Sequence, residues 1–242
     1  MRNPFKAVKL KQNLLPDALA AQTVKEAECY KNWATLHPLY APWLTEPKFQ
    51  KLYEIIQTHT LVSPDRCYLL QQFATYARLL NAPFAECGVY KGGTAFLLAE
   101  VLKESSSKLY LFDSFEGLPK ANPAHDNYYQ EGNFSEPLET AQKLLEPFQR
   151  QTIFKKGWMP QTFSGLENLV FAMVHVDIDF YQSALDCCHF FYPRLLKGGV
   201  MIFDDYGFPA CRGEKDAVDE FFIDKPESPI PLPSGQALIL KS

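Results

Sequence analysis

The sequence predicts an α/β fold: a mostly parallel sheet closed by a C-terminal antiparallel hairpin strand and preceded by a helical N-terminal segment. Three observations carry this expectation. From Ala82 onward, short apolar runs alternate with helical stretches. No internal repeat or low-complexity tract interrupts them. The closing segment "PIPLPSGQALILKS" sets two short extended runs around Ser234-Gly235. Alternation of this kind reads as right-handed βαβ units, and paired extended runs about a Ser-Gly read as a hairpin.

The elements are taken in chain order. Residues 1–60 are expected to form a helical cap and residues 61–242 the sheet domain. Within the cap, "DALAAQTVKEAECYKNWATL" (17–36) carries Leu19, Ala20, Thr23, Ala27, Tyr30 and Ala34 at helical spacing. Pro38, Pro42 and Pro47 interrupt the chain after this helix, and "KFQKLYEIIQTH" (48–59) sets Phe49, Leu52, Ile55 and Ile56 on one helix face. A helix is expected from Asp65 to Leu80, with Ser63 as N-cap and Pro64 as its first residue. Strands are expected over 83–88, 108–113, 151–156, 169–177 and 198–205, with helices over 93–104, 136–149, 181–192 and 213–223. Residues 114–135 form a long polar connection, and such loops inside compact domains are usually functional.

Composition excludes several classes. The chain has 242 residues, 24 Lys+Arg against 28 Asp+Glu, a net charge of −4 and 47 % hydrophobic residues. That balance argues against nucleic acid as a partner and against disorder. No apolar run is long enough to span a bilayer, and the first residues lack the apolar stretch of a secretory signal. Cys29, Cys67, Cys87, Cys187, Cys188 and Cys211 show neither C-x-x-C spacing nor a disulfide framework, so reduced thiols in a cytoplasmic protein are expected.

Ligands of open parallel sheets bind beyond the carboxyl ends of the strands. Here those ends carry Glu86 and Gly88, Asp113, Asp177 and Asp179, and Asp204 and Asp205. Packing has no use for carboxylates there, and unpaired ones repel. Their clustering implies a cation, a ribose, or both. "GVYKGGTAF" (88–96) provides a Gly-rich turn into a helix, but Thr94 stands where a P-loop has Lys, and Tyr90 breaks the dinucleotide fingerprint. A plain tight turn between strand and helix is the alternative. Asp113 suits ribose hydroxyls, with capping of the next turn as the alternative. Nucleoside binding without a phosphate cradle points to S-adenosylmethionine. Asp177 and Asp179 share a face of an extended segment, and with Asp204-Asp205 they suit a hard cation such as Mg²⁺. His175 shares that face, as a core histidine or as a site residue.

The segments "ECGVYKGGTA", "LFDSFEGLP", "GNFS", "KGWMPQTF", "VDIDFYQSALD", "YPRLLKGGVMIFDDYG" and "CRGEKDAVDEFF", in consistent order over residues 61–242, resemble the macrocin O-methyltransferase (TylF-like) family. The resemblance implies a Rossmann-like class I methyltransferase sheet and metal-dependent transfer of a methyl group from S-adenosylmethionine to a hydroxyl of a small molecule, a sugar of a natural product. By the same resemblance Glu86 and Gly88 form the methionine-side turn and Thr94 opens its helix. Asp113 is the ribose acid with Ser114 beside it, and Trp158 borders the adenine. Asp177, Asp204 and Asp205 hold the metal and Asp179 is the general base, with the two roles of Asp177 and Asp179 exchangeable. His125, in the long loop, is next in line as base. Two departures stand out. The family commonly has Gly between the paired aspartates and Glu-Ser-Thr after the tyrosine, where this chain has Ile178 and "QSA" (182–184). A phenol or catechol O-methyltransferase and a non-catalytic S-adenosylmethionine-binding module are the alternative readings. The N-terminal helices, rich in Tyr and Trp, could cap the acceptor pocket or pair subunits in a homo-oligomer.

Overall fold

A computed structural model describes residues 40–242. The helix expected over 17–36, with Cys29, lies outside the described residues. Seven strands form one sheet in the order β3-β2-β1-β4-β5-β7-β6. β1 (Phe84–Cys87), β2 (Leu109–Asp113), β3 (Thr152–Lys156), β4 (Phe171–Val176) and β5 (Leu195–Phe203) run parallel. β6 (Ile230–Pro231) and β7 (Ala237–Leu240) form the terminal hairpin, and β7 pairs antiparallel with β5. The order reverses between β1 and β4, so a crevice opens beyond their carboxyl ends.

Helices cover both faces, which is why every residue of β1 and β4 is buried. On one face, α1 (Pro47–Ile56), α2 (Pro64–Ala77) and α3 (Gly93–Leu102) pack Phe49, Leu70 and Leu97 against Phe84, Leu109 and Met173. α4 (Leu138–Leu144) adds Ala141 to the same cluster. On the other face, α5 (Tyr181–Phe191) and α6 (Arg212–Phe222) bring Cys187, Phe191 and Phe222 against Val174, Val176 and Phe203. The alternation of strand side chains sorts the polar residues too. Glu86, His175 and Asp204 continue the series of Phe84, Met173 and Ile202, and therefore face the α1–α3 side.

Among the described residues the expected elements are present, with four local differences. Ile55 is 50 % exposed, because Phe49, Leu52 and Ile56 already complete the buried stripe of α1. Ser63 does not cap α2 through its side chain; its Oγ instead accepts the Arg66 Nε–H at 3.2 Å. The helix expected over 136–149 stops at Leu144, and Pro147 turns the rest into a 3-10 turn at Glu146–Phe148. β5 begins at Leu195, ahead of the expected residue 198. The register against β4 shifts between Phe171 and Met173, and Gly198, at φ +78, lies in this irregular stretch, so the Gly pair expected to open the strand sits inside it. Among the described residues no helix is long and apolar enough to cross a membrane. Cys67, Cys87, Cys187, Cys188 and Cys211 are free and buried.

Gly88 follows β1 at φ +86, and a Cβ there would stand 1.8 Å from the Asp177 carbonyl oxygen. Close approach of two strand ends thus requires glycine at this position. Gly88→Ala is expected to lower stability by about 3 kcal/mol, read as a reduced urea midpoint; an unchanged midpoint would show that the strand ends separate without cost.

Candidate active site

The turn after β1 is held by its neighbour strand. The Val89 and Tyr90 N–H groups donate to Asp113 Oδ2 at 2.7 and 3.0 Å, and the Phe115 N–H donates to Oδ1 at 2.7 Å. Asp113 therefore caps the following turn and braces the Gly88 turn at once. It also faces a cleft of ≈ 380 Å³ beyond the strand ends. Gly88, Thr94, Ser114 and Trp158 line the same cleft. Ser114 Oγ donates to the Gly117 carbonyl at 3.0 Å and accepts the Glu116 N–H at 3.0 Å. Trp158 is 40 % exposed, as suits a cleft wall rather than a core aromatic.

Across the cleft stand Asp177, Asp179 and Asp205, with Arg66 from α2 and Lys120 and Tyr129 from the long loop. Two of the expected site residues do not line it. Glu86 and Asp204 are both 0 % exposed and lie behind the wall in a chain of buried charges. His175, also fully buried, has Nδ1 2.9 Å from Glu86 Oε1 and Nε2 3.3 Å from Asp204 Oδ1. Gln236 Nε2 donates to Asp204 Oδ1 at 2.7 Å, and Arg66 Nη1 pairs with Asp204 Oδ2. Arg66 also lies 3.5 Å from Asp205 Oδ1 and stacks over the Phe208 ring at 4.6 Å.

Burial by itself would lower the His175 pKa, but the hydrogen bonds and charges of Asp204 and Glu86 outweigh it and push the value up to about 10. His175 is thus an imidazolium at neutral pH, donating from both nitrogens. Burial would raise Asp204, yet the bond from His175 and the charge of Arg66 hold it below the usual carboxylate range. The cleft-facing acids are less fully paired, with Arg66 at 3.5 Å from Asp205 and the Cys211 thiol on Asp179. Burial first, and then the charge of Asp204, raises Asp177 to about 7. Burial, then the Asp204 charge, raises Asp179 to about 6 despite a bond from the Cys211 thiol, whose Sγ lies 3.1 Å from Oδ1. Asp205 is pushed well up by burial and by Asp177 and Asp179. Behind it, the buried Glu214 accepts the Asp205 N–H at 3.0 Å, while its second oxygen has no partner.

These carboxylates are short of positive charge. Their hard oxygen donors fit a divalent cation of the Mg²⁺ type. Carboxylate oxygens of Asp177 and Asp204 lie within 4.8 Å of each other, as do those of Asp179 and Asp205. Sequence reasoning misses Arg66 and leaves the role of His175 open. The available signal for Arg66 is a cation in the first turn of an apolar helix, where the helix dipole disfavours it. His125, next in line as a base, is paired with Asp216 at 3.2 Å and stands outside the cleft wall.

The model of the macrocin-O-methyltransferase (TylF) family matches residues 56–227. The chain is 30% identical over 178 residues, 67% of each protein, to the 8-demethyl-8-(2,3-dimethoxy-alpha-L-rhamnosyl)-tetracenomycin-C 4'-O-methyltransferase of Streptomyces olivaceus. It is 29% identical over 180 residues to the mycinamicin III 3''-O-methyltransferase of Micromonospora griseorubida, covering 67% of this chain and 70% of that one. Among solved structures, the O-methyltransferase NovP superposes with a TM-score of 0.64 at 24% identity, over 76% of this chain and 82% of that one.

Arg66→Met would leave Asp204 buried without its counter-cation. The expected loss is about 3–5 kcal/mol at pH 7, measured by urea unfolding. A loss below about 1 kcal/mol would show that His175 and Gln236 suffice for Asp204.

Proposed function

Because the chain belongs to the macrocin-O-methyltransferase (TylF) family and is an S-adenosylmethionine-dependent O-methyltransferase, we propose that it methylates a sugar hydroxyl of a glycosylated natural product with the help of Mg²⁺. The observation that carries this reading is the meeting, in one cleft, of the Gly88 turn and Asp113 with Asp177, Asp179 and Asp205. A cytoplasmic setting belongs to the same reading, supported by buried thiols that stay unpaired.

When bound, S-adenosylmethionine supplies a methyl group on a positively charged sulfonium, and Mg²⁺ supplies the charge that acidifies a hydroxyl beside it. The proposed cofactor side comprises Gly88, Thr94, Asp113, Ser114 and Trp158, with Glu86 behind the turn. Asp113 keeps acceptor capacity on Oδ1, which takes only one backbone N–H, so a ribose hydroxyl can donate to it. Asp177, Asp204 and Asp205 are the proposed cation ligands. Two already face the cleft, and Arg66 is the cation with which Asp204 would be shared. Asp179 is the proposed general base. Raised to about 6, it remains mainly ionised at neutral pH and is a stronger base than an aspartate at about 3.9. The larger contribution of the chain is alignment of the two reactants, an effect of up to roughly 7–11 kcal/mol in favourable cases.

The deciding experiment offers a panel of glycosides and catechols with labelled S-adenosylmethionine, with and without EDTA. Methylation of glycosides, lost in EDTA and restored by Mg²⁺, is expected. Catechols as the sole acceptors would overturn the sugar assignment, and full activity in EDTA would overturn the metal. A binding readout accompanies it. Because Asp177 and Asp179 have folded-state values raised to about 7 and about 6, their ionisation costs stability as pH rises through that window, and a bound cation offsets the cost. The rise in melting temperature on adding Mg²⁺ should therefore be larger at pH 8 than at pH 5. Asp179→Asn is expected to keep S-adenosylmethionine binding by calorimetry while kcat falls at least about 100-fold; wild-type kcat would assign the base elsewhere.

A further inference from the structure

The long loop 114–135 meets the site in two ways. Lys120 and Tyr129 belong to the cleft wall, while His125 and Asp126 turn away from it onto the start of α5. Asp126 is 7 % exposed, and its Oδ1 accepts the N–H of Tyr181, the first residue of α5, at 3.1 Å. α5 has no side-chain cap of its own, since Phe180 occupies the N-cap position. Asp126 supplies the missing acceptor from a distant part of the chain, and a carboxylate there is favoured by both the hydrogen bond and the helix dipole. Its Oδ2 accepts the Asn122 N–H at 3.1 Å, closing a turn in which the Asp126 N–H donates to the Asn122 carbonyl at 2.7 Å. Gly213 of α6 leaves room for this arrangement, because a Cβ there would stand 1.9 Å from Asp126 Oδ1. His125 holds the same residue from the side. Its ring lies parallel to that of Tyr181, 3.9 Å between centroids and 8° between planes, while the Tyr181 hydroxyl donates to Glu220 at 2.6 Å.

Two residues before Tyr181 stands Asp179, with φ at +61. A non-glycine residue keeps this left-handed conformation only where its surroundings hold it. Immediately after it the Phe180 N–H donates to the Ile178 carbonyl at 2.6 Å, and then Tyr181 is fastened by its amide and by its ring. We infer that Asp126 and His125 are positioning residues for Asp179: they anchor the first residue of α5, and through it the Asp179 turn, to the loop that walls the cleft. Ordering of the loop and aiming of the base are then one event. Neither residue lines the cleft, and the inference rests on Asp179 serving as the base, as proposed for the reaction.

Hydrogen–deuterium exchange and turnover of the full chain test it together. In Asp126→Ala, amides of residues 178–183 should exchange about 10-fold faster, along with those of 114–135, while β1 and β2 stay unchanged. The kcat of this variant should fall about 10- to 100-fold, with the calorimetric Kd for S-adenosylmethionine within about twofold of wild type. Asp126→Asn, which keeps an acceptor oxygen, should recover most of both. His125→Ala, which leaves the helix cap in place, should show the same pattern at smaller size and serves should Asp126→Ala not fold. Unchanged exchange at 178–183, an Asn variant as impaired as the Ala variant, or wild-type kcat in folded Asp126→Ala would each overturn the inference. Should the wild-type chain methylate no acceptor, the proposed function fails, and exchange at 178–183 still decides whether the staple holds this turn.

Discussion

The ion pair between Arg66 and Asp204 is the constraint on which the rest of the site depends. Parallel strands that end in carboxylates gather like charge at one edge of the sheet, in surroundings too apolar to screen it. Asp204 has both oxygens occupied, by Arg66 on one side and by His175 and Gln236 on the other. This requires α2 to dock with its first turn over the strand ends, which the burial of Cys67, Leu70 and Ala74 provides. The position of α2 is thus set by packing along most of its length and by charge at its start. Glu86 and His175 extend the pairing across β1 and β4, so that three strands and a helix share one buried electrostatic unit.

Neutralisation stops at the cleft. His175 and Arg66 face Glu86 and Asp204, while burial, and then the charges of neighbouring carboxylates, raises Asp177, Asp179 and Asp205. A site built to be stable alone would have paired these acids or replaced them with apolar residues, since an uncompensated buried carboxylate is costly. The crowding of these acids supports the proposed cation, which would complete the set. Glu214, buried beside them with one unpartnered oxygen and a pKa pushed well up by burial, adds to the same excess of acidity.

The fold is legible in the sequence because its signals are local. Apolar runs that end in Asp mark strand ends, and the alternation after Ala82 marks the parallel sheet and its hairpin. The acids lining the cleft are legible for the same reason. Their partners are not. Arg66 reaches Asp204 across most of the chain, and Asp126 reaches Tyr181 from a distant loop, so no periodicity connects them. Ile55 shows the converse limit, where a local pattern is legible but the packing partner decides which residue faces inward. Asp113 shows that capping a turn does not keep a carboxylate from lining the cleft.

Ile178 stands between the two aspartates where the resemblance leads one to expect glycine. It is buried, lines the cleft, and its Cγ2 lies 3.3 Å from where a Cβ on Gly88 would stand. The side chain therefore fills space against the glycine turn instead of leaving it to a ligand. Glycine at 178 would also loosen the segment that sets Asp179 in its left-handed conformation, because glycine samples many more backbone states. A bulky residue at this position narrows the cleft while stiffening the link between β4 and α5. Ile178 thus couples the width of the cleft to the fixed left-handed conformation of Asp179, the proposed base.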